Sequence, residues 1–324
     1  DVETFYAKSP TATGVTFSKP SIGGDFACVL GSDAWAWCWG NYGNGGRGDG
    51  TGYYRSMPYP IYNSELPAGQ YFDKLTTGLY TTCGLSSGEI YCWGENGDGQ
   101  LGTGDTVDRA GPAKVVMTGA LLGKTIVDVQ AQSEAACALD DAGAVYCWGS
   151  NQFGQLGTGD TTYQPTPTAV DMSGMNGEVF SQITATNYSM CGLTTVGNIW
   201  CWGENNDGLL GVNNSSDQLT PVAASRTNAG SAVFTYIDLG IYGGCALDTA
   251  NEIWCWGTLP TDQFDQPSWT NFYDAIPAKN GPLVGKTITS LSVGAQIICV
   301  LADGAPYCTG DNGYGAFGDG TTDY

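Results

Sequence analysis

The stretch CGLSSGEIYCWGENGDGQLGTGD, from Cys83 to Asp105, decides the fold because relatives of it recur along the chain. Most copies contain two cysteines nine or ten residues apart, an aromatic-Cys-Trp-Gly run and a glycine-rich loop. The first cysteines of successive copies are 54 or 55 residues apart, and six periods of 54 residues match the chain length of 324. Repetition on this scale is typical of a solenoid, an array or a propeller.

Each cysteine pair brackets a short hairpin. In the copy quoted above, the turn signal Ser87-Gly88 places Cys83 opposite Cys92. Alternation outward from the turn puts the pair at a non-hydrogen-bonded position, where Cα atoms lie about 4.5 Å apart, within reach of a disulfide. The six predicted disulfides are Cys28–Cys38, Cys83–Cys92, Cys137–Cys147, Cys191–Cys201, Cys245–Cys255 and Cys299–Cys308.

The alternative for these cysteines is a reduced, metal-binding set. Zinc sites usually leave two to four residues between neighbouring ligands and often include histidine. Here eight or nine residues separate the members of each pair, and the chain has no histidine. We therefore expect disulfides and no metal. Persistent disulfides favour an oxidising compartment, and hence an extracellular, secreted or cell-surface protein.

Strand alternation makes both broad faces of each hairpin apolar. The cysteines share one face with aliphatic residues such as Leu85 and Ile90, while Tyr91 and Trp93 lie on the other. A small sheet with two apolar faces must pack between two neighbours. The sequence therefore predicts an all-β fold, a β-propeller of six repeats, as a single domain over residues 1–324.

A recurring glycine 14 residues before the first cysteine marks the start of a copy, as at Gly14 and Gly285. Residues 1–13 and the segment from Gly285 to the end together amount to about one repeat. We therefore expect the N- and C-terminal segments to share one blade. Such closure would remove the exposed edge strands of an open array.

The copies share more than their cysteines. CGLSSGEIYCWGENGDGQLGTGD, CALDDAGAVYCWGSNQFGQLGTGD and CGLTTVGNIWCWGENNDGLLG all combine a small residue and leucine, a glycine turn, Trp-Gly, Asn and a glycine-rich end. This pattern resembles the regulator-of-chromosome-condensation repeat. The resemblance implies a β-propeller of four-stranded blades, usually seven, whereas this chain shows six copies. Either the ring has six blades or one blade lies outside this chain.

The cysteine-flanked variant is similar to repeats in secreted bacterial proteins and in the ectodomains of crinkly-type plant receptor kinases. The family's nuclear members promote nucleotide exchange on a small GTPase and bind chromatin. Neither role is expected of this chain, which has 32 acidic and 11 basic residues and a formal charge of −21. Nucleic acid is not an expected partner, because a phosphate backbone requires a basic stripe. No apolar run is long enough for a membrane span.

Composition also argues against an enzyme. Without histidine there is no Ser-His-Asp triad, no Cys-His nucleophile and no HExxH zinc site, and paired cysteines supply no thiolate. Paired carboxylates remain, but 32 acidic residues make some pair inevitable. We expect no catalytic residue and no cofactor. The loops Asn96–Asp105 and Asn151–Asp160 leave calcium as an open alternative, although tight turns account for their glycines.

Two insertions carry aromatic residues outside the repeat pattern. Exposed aromatic clusters on loops mark partner surfaces, although packing between blades accounts for them equally well. The candidate binding residues are Tyr53, Tyr54, Tyr59, Phe264, Trp269, Phe272 and Tyr273. The candidate glycosylation sites, each the first residue of a sequon, are Asn187, Asn213 and Asn214.

These observations predict a non-catalytic extracellular module with a structural or interaction role. It would act at a cell surface, in a matrix, or by self-association in an extracellular fibre. The alternative is a soluble secreted binder. Its partner would be a glycan, as for a lectin, or a protein, as for the family's secreted β-lactamase inhibitor.

Overall fold

The structure, a computed structural model, describes residues 14–41, 48, 55–61, 66–67, 70–259, 270–277, 281–312 and 315–321. The chain divides into two compact units. The first comprises residues 1–152 and 162–169, and the second residues 153–161 and 170–324. The fold is an all-β, six-bladed β-propeller, as predicted. The single domain over residues 1–324 remains a prediction.

The first unit contains blades 1 to 3. Their strands are β1 (Phe17–Ile22), β2 (Phe26–Gly31), β3 (Ala36–Gly40) and β4 (Arg55–Pro60); β5 (Lys74–Thr77), β6 (Thr81–Ser86), β7 (Glu89–Gly94) and β8 (Arg109–Lys114); and β9 (Ile126–Ala131), β10 (Ala135–Asp140), β11 (Val145–Gly149) and β12 (Gln164–Ala169). Each blade is an antiparallel sheet in which the strands follow chain order.

The second unit contains blades 4 to 6. Their strands are β13 (Phe180–Ala185), β14 (Ser189–Thr194), β15 (Ile199–Gly203) and β16 (Gln218–Ala223); β17 (Phe234–Leu239), β18 (Gly243–Asp248), β19 (Ile253–Leu259) and β20 (Thr270–Pro277); and β21 (Ile288–Val293), β22 (Ile297–Ala302) and β23 (Ala305–Gly310). Residues 1–13, expected to complete a shared closing blade, lie outside the described part of the chain.

The described helices are single 3-10 turns. They are Gly119–Leu121, Ser173–Met175, Asn206–Gly208 and Gly281–Leu283. Three of them lie on the connection from the last strand of one blade to the first strand of the next. None of the described helices has the length and apolar character needed to cross a membrane.

The hairpins between second and third strands have the predicted register. Cys83 lies opposite Cys92, and the two turn residues Ser87 and Gly88 have φ values of 51° and 80°. A two-residue type I′ turn requires positive φ at both of these positions. The Cα atoms of each cysteine pair are 4.1 or 4.2 Å apart. All six predicted disulfides are confirmed.

Within each unit, neighbouring blades pack with unlike faces together. In the first unit, Leu85 from the cysteine face of blade 2 belongs to the same core cluster as Trp148 from the aromatic face of blade 3. In the second unit, Leu193 of blade 4 and Trp256 of blade 5 share a core cluster in the same way. The repeated aromatic residues are therefore core residues that join one blade to the next.

The glycine-rich loop of one blade covers the tryptophan of the next. Trp148 Nε1 donates a hydrogen bond to the carbonyl oxygen of Gln100 at 2.9 Å, and Trp202 Nε1 donates to that of Gln155 at 3.0 Å. A Cβ added to Gly102, which has a φ of 65°, would lie 2.7 Å from Trp148 Nε1. Both the conformation and the close approach to the indole require glycine.

Candidate binding groove on the first blade

The predicted binding residues fall in different parts of the chain. Tyr59 is described and lies on β4. Phe272 and Tyr273 lie on β20, where the side chains are not described. Four predicted residues lie outside the described residues, namely Tyr53, Tyr54, Phe264 and Trp269. Tyr59 is therefore the predicted binding residue whose side chain the structure describes.

Tyr59 borders a groove of about 240 Å³ on blade 1. The groove is lined by Asp33, Trp35, Trp37, Tyr59 and Pro60. Trp37 and Pro60 are opposite each other on the paired strands β3 and β4, while Asp33 and Trp35 come from the turn between β2 and β3. One hairpin turn and the two paired strands β3 and β4 thus build the groove.

The lining residues differ in exposure. Trp37 is 3% exposed and forms the floor, and the ring of Phe17 contacts it edge-on with centroids 5.8 Å apart. Trp35 is 40% exposed and Tyr59 43% exposed, so both present aromatic surface to solvent. The groove therefore has a rigid aromatic floor and two accessible aromatic walls.

The turn of blade 1 departs from the turns of blades 3 and 5. In blade 3, Asp140 closes the turn: its carboxylate accepts hydrogen bonds from Ala142 N at 3.0 Å, from Ala144 N at 2.8 Å and from the Tyr146 hydroxyl at 3.1 Å. In blade 5, Asp248 makes the equivalent set of contacts. In both carboxylates, each oxygen accepts at least one hydrogen bond from the same hairpin.

In blade 1 a glycine, Gly31, replaces this aspartate, and the carboxylate comes from Asp33 within the turn. Asp33 Oδ1 accepts hydrogen bonds from Trp35 N and from Trp37 Nε1, both at 3.2 Å. A Cβ at Gly31 would clash with Asp33 Oδ1 and Trp37 Nε1. Glycine at this position therefore leaves the space that the Asp33 carboxylate occupies.

The relocated carboxylate has one uncommitted oxygen. Asp33 is exposed, and both of its hydrogen bonds from described residues go to Oδ1. Oδ2 accepts no hydrogen bond among the residues that the structure describes. Asp33 thus places an available acceptor beside exposed aromatic rings, unlike Asp140 of blade 3.

A cation orients the outer wall of the groove. The Arg55 guanidinium carbon lies 4.5 Å from the centroid of the Tyr59 ring, within the range of a cation–π interaction. Arg55 and Tyr59 are four residues apart on β4 and so lie on the same face of that strand. Arg55 therefore covers one face of Tyr59 and holds the ring beside the groove.

Tyr59 was predicted from the sequence as a binding residue, whereas Asp33, Trp35 and Arg55, which lie at or beside the same groove, were not. One signal was present: the turn of blade 1 reads SDAWAW, with a tryptophan where the turn of blade 3 has Ala144. An aromatic residue in a hairpin turn that is otherwise small or polar departs from the repeat. Such a departure points to a role that the shared core does not explain.

The candidate glycosylation sites differ in access. Asn187 is half-buried in the loop after β13, and the hydroxyl of its sequon serine, Ser189, is buried and donates to the Glu204 carbonyl oxygen at 2.7 Å. Asn213 and Asn214 are exposed in the loop after β15. Modification at all three positions remains a prediction, and access favours the latter two.

The glycine-rich loops organise their own polar atoms. In the loop of blade 2, Asp105 Oδ1 accepts hydrogen bonds from Val107 N and Thr103 Oγ1, both at 3.1 Å, and Oδ2 accepts one from Arg109 at 2.7 Å. These donors hold the pKa of Asp105 below its ordinary value, with the Val107 amide the largest cause. Calcium binding remains an untested alternative.

The described residues contain no group of three or more cysteine, aspartate or glutamate side chains placed to hold a metal ion. The carboxylates at Asp33, Asp140 and Asp248 are each engaged with the hydrogen-bond donors of their own turn. What the groove offers chemically is recognition: aromatic stacking, an exposed carboxylate and an apolar floor.

Comparison with known families identifies the repeats. The family model described as the regulator of chromosome condensation (RCC1) repeat matches residues 87–139, 142–191 and 196–247. A second model with the same description matches residues 126–155 and 180–209. The chain is also 30% identical over 241 residues to the human E3 ubiquitin-protein ligase HERC2, a match that covers 73% of this chain and 5% of HERC2.

Solved structures share the fold. Human WBSCR16 matches with a TM-score of 0.79 at 18% identity, covering 96% of this chain and 80% of WBSCR16. Prp20p from Saccharomyces cerevisiae, described with its binding properties to Gsp1p and histones, matches with a TM-score of 0.77 at 20% identity, covering 94% of this chain and 74% of Prp20p. The matched regions span 5% to 51% of the length of the curated relatives.

Proposed function

Because the chain is built from RCC1 repeats and each of its six blades carries a disulfide, we propose that it is a non-catalytic extracellular module that binds a protein partner. Its place would be the cell surface, a matrix or the secreted fluid. A protein partner is favoured because a structural relative, Prp20p, is described as binding the proteins Gsp1p and histones.

One observation supports an oxidising, extracellular compartment. All twelve cysteines are disulfide-bonded, and ten of them are buried in the blades. Structural disulfides persist in oxidising environments, whereas the cytosol keeps most thiols reduced. A chain that devotes every cysteine to intra-blade bridges is therefore expected outside the cytosol.

Charge supports the choice of partner. The chain has a formal charge of −21. Charge complementarity steers association toward positively charged partners and slows the approach of negatively charged ones. We therefore expect a partner with basic residues at its contact surface.

Titration of free thiols tests whether the protein comes from an oxidising, extracellular compartment. Protein is isolated from its native source with thiols alkylated at lysis, then denatured without reductant and treated with a thiol-reactive dye. We expect no reactive thiol and no alkylated cysteine. Twelve modified cysteines would contradict the extracellular assignment. Sedimentation of the purified chain at its native concentration would separately show whether it self-associates instead of binding a different protein.

A further inference from the structure

The groove on blade 1 combines an acidic end with aromatic walls. Asp33 is exposed at that end, and its Oδ2 accepts no hydrogen bond from the described residues. Trp35 and Tyr59 present exposed rings beside it. A carboxylate and exposed aromatic rings that line one groove are a suitable environment for a cation, because the ion pair and the ring quadrupole both attract positive charge.

The size of the groove limits the ligand. Its volume of about 240 Å³ is below the roughly 300–1,000 Å³ of pockets that enclose a drug-sized ligand. One side chain of a partner fits this space better than an entire small molecule. The long-range field of the chain, which carries a charge of −21, favours a cationic side chain.

The chain itself shows which cation suits these rings. Arg55 already lies over one face of Tyr59 at 4.5 Å. Arg55 is opposite Gly40 on β3, whereas Pro60, at the other end of β4, is opposite Trp37, close to the turn that carries Asp33. The exposed indole of Trp35 and the Asp33 carboxylate therefore remain for an incoming group.

We propose that this groove binds the guanidinium group of an arginine side chain from a protein partner. The planar guanidinium stacks on the Trp35 indole and donates hydrogen bonds to Asp33 Oδ2, while Trp37 forms the floor. Arginine is preferred to lysine because a flat, weakly hydrated cation loses less on stacking than a compact ammonium group. This inference rests on the protein-binding function proposed above and names the chemistry of its partner.

The test uses the peptide acetyl-Gly-Arg-Gly-amide and its citrulline counterpart, which keeps the shape without the charge. Binding to the full chain is followed by the indole N–H signal of Trp35 in two-dimensional NMR spectra, assigned with the variant Trp35→Phe. We expect saturable shifts with the arginine peptide and none with citrulline. Raising the salt from about 0.15 M to about 0.5 M should weaken binding several-fold.

Two variants locate the site. Asp33→Asn keeps the Oδ1 acceptor for the turn and removes the charge, and it should weaken arginine binding about fivefold or more. Asp141→Asn removes an exposed carboxylate from the equivalent turn of blade 3, where Ala144 takes the place of the tryptophan, and it should bind as wild type. Unchanged spectra away from the groove confirm that each variant is folded.

Several outcomes would overturn the inference: equal binding by wild type and Asp33→Asn, equal binding of the citrulline peptide, tighter binding of a lysine peptide, or saturation of the Trp35 signal by a methyl glycoside. A protein partner that still binds Asp33→Asn would refute the groove and leave the proposed function intact. Twelve free thiols would refute the compartment without altering the peptide result.

Discussion

A buried asparagine organises the loop that follows the third strand in several blades. In blade 2, Asn96 Nδ2 donates to the carbonyl oxygens of Asp105 and Val107 at 3.0 and 3.1 Å, and Asn96 Oδ1 accepts from Leu101 N at 2.9 Å. In blade 4, Asn205 makes the equivalent contacts. One carboxamide thus replaces the ladder hydrogen bonds that an irregular loop lacks.

Replacement of Asn96 by alanine tests this role. Asn96→Ala leaves two carbonyl oxygens and one amide without their partner in a buried site, so unfolding free energy should fall by about 2–4 kcal/mol. Urea denaturation with disulfides intact provides the measurement. Gln152→Ala, at an exposed position of the following blade's loop, should change stability by less than about 0.5 kcal/mol. Equal effects of the two variants would contradict the role of Asn96.

The hairpin closed by a disulfide is the structural element that repeats in every blade. Each bridge joins two neighbouring strands across a loop of nine or ten residues. In the chain-entropy account, a closed loop of ten residues stabilises the folded state by about 2.7 kcal/mol. The bridge also lies within the core between blades, so its loss removes buried atoms as well.

The double variant Cys137→Ala/Cys147→Ala should keep the fold of blade 3 and lose about 2–5 kcal/mol of unfolding free energy. The matching variant in blade 6, Cys299→Ala/Cys308→Ala, removes a bridge whose loop is one residue shorter, and it should lose a similar amount of unfolding free energy through the entropy effect. Denaturation curves of both, compared with wild type, provide the measurement. Losses below about 1 kcal/mol would show that these local bridges do not stabilise the blades.

A partly buried carboxylate joins the first strands of the three blades in the second unit. Asp238 on β17 accepts hydrogen bonds from Thr184 Oγ1 of β13 at 3.3 Å and from Val293 N of β21 at 2.8 Å. Burial raises the pKa of Asp238 above its ordinary value of 3.8, against the effect of these donors. This one side chain therefore connects three consecutive blades.

The raised pKa predicts a pH dependence. At pH values between the ordinary pKa of 3.8 and the raised pKa of the folded state, the folded chain holds a proton at Asp238 that the unfolded chain has lost. The resulting stabilisation of the folded state is fully present below pH 3.8. It is lost as the pH rises through the raised pKa that Asp238 has in the folded state. The difference in unfolding free energy between wild type and Asp238→Asn should therefore decrease as pH increases from about 4.

Asp171 provides the matched control of opposite sign. Hydrogen bonds from Ser173 lower the pKa of this exposed carboxylate, so its stabilisation is lost as the pH falls through the lowered value. The difference between wild type and Asp171→Asn should increase with pH. Denaturation at a series of pH values gives both comparisons, and the same slope for both variants would contradict the assignment of Asp238.

At the scale of the whole molecule, net charge is the dominant electrostatic feature. Eleven basic residues face 32 acidic ones. Several of the described cations are already paired, as in Lys74 with Asp128, Lys114 with Glu89 and Lys124 with Asp140. The remaining carboxylates repel one another across the surface, and this repulsion destabilises the compact state.

Added salt should therefore stabilise the molecule. Screening of the long-range repulsion is expected to outweigh the weakening of exposed ion pairs, which contribute little individually. The midpoint of thermal unfolding should rise between about 0.02 M and about 0.3 M sodium chloride. Potassium chloride at the same ionic strength serves as the control and should give the same rise. A falling midpoint would contradict the dominance of repulsion.

The sequence predicted the fold well because the fold is set by periodic features. The pairing of Cys83 with Cys92 follows from the turn and from strand alternation, which are local. The aromatic residues of each hairpin follow from the need to cover two apolar faces. The groove could not be predicted in the same way. It depends on a carboxylate at Asp33, since blade 1 has Gly31 where blade 3 has Asp140, and on the distance between that turn and the edge strand β4.

The contact between the glycine-rich loop and the following indole has a consequence for how such chains diversify. Gln100, Gln155 and Leu209 each offer a main-chain carbonyl to the next tryptophan, so the side chain at this position is free to vary. Gain or loss of one complete period by recombination would therefore recreate a matched junction between the new neighbours. Exchange of a partial period would leave an indole without its acceptor.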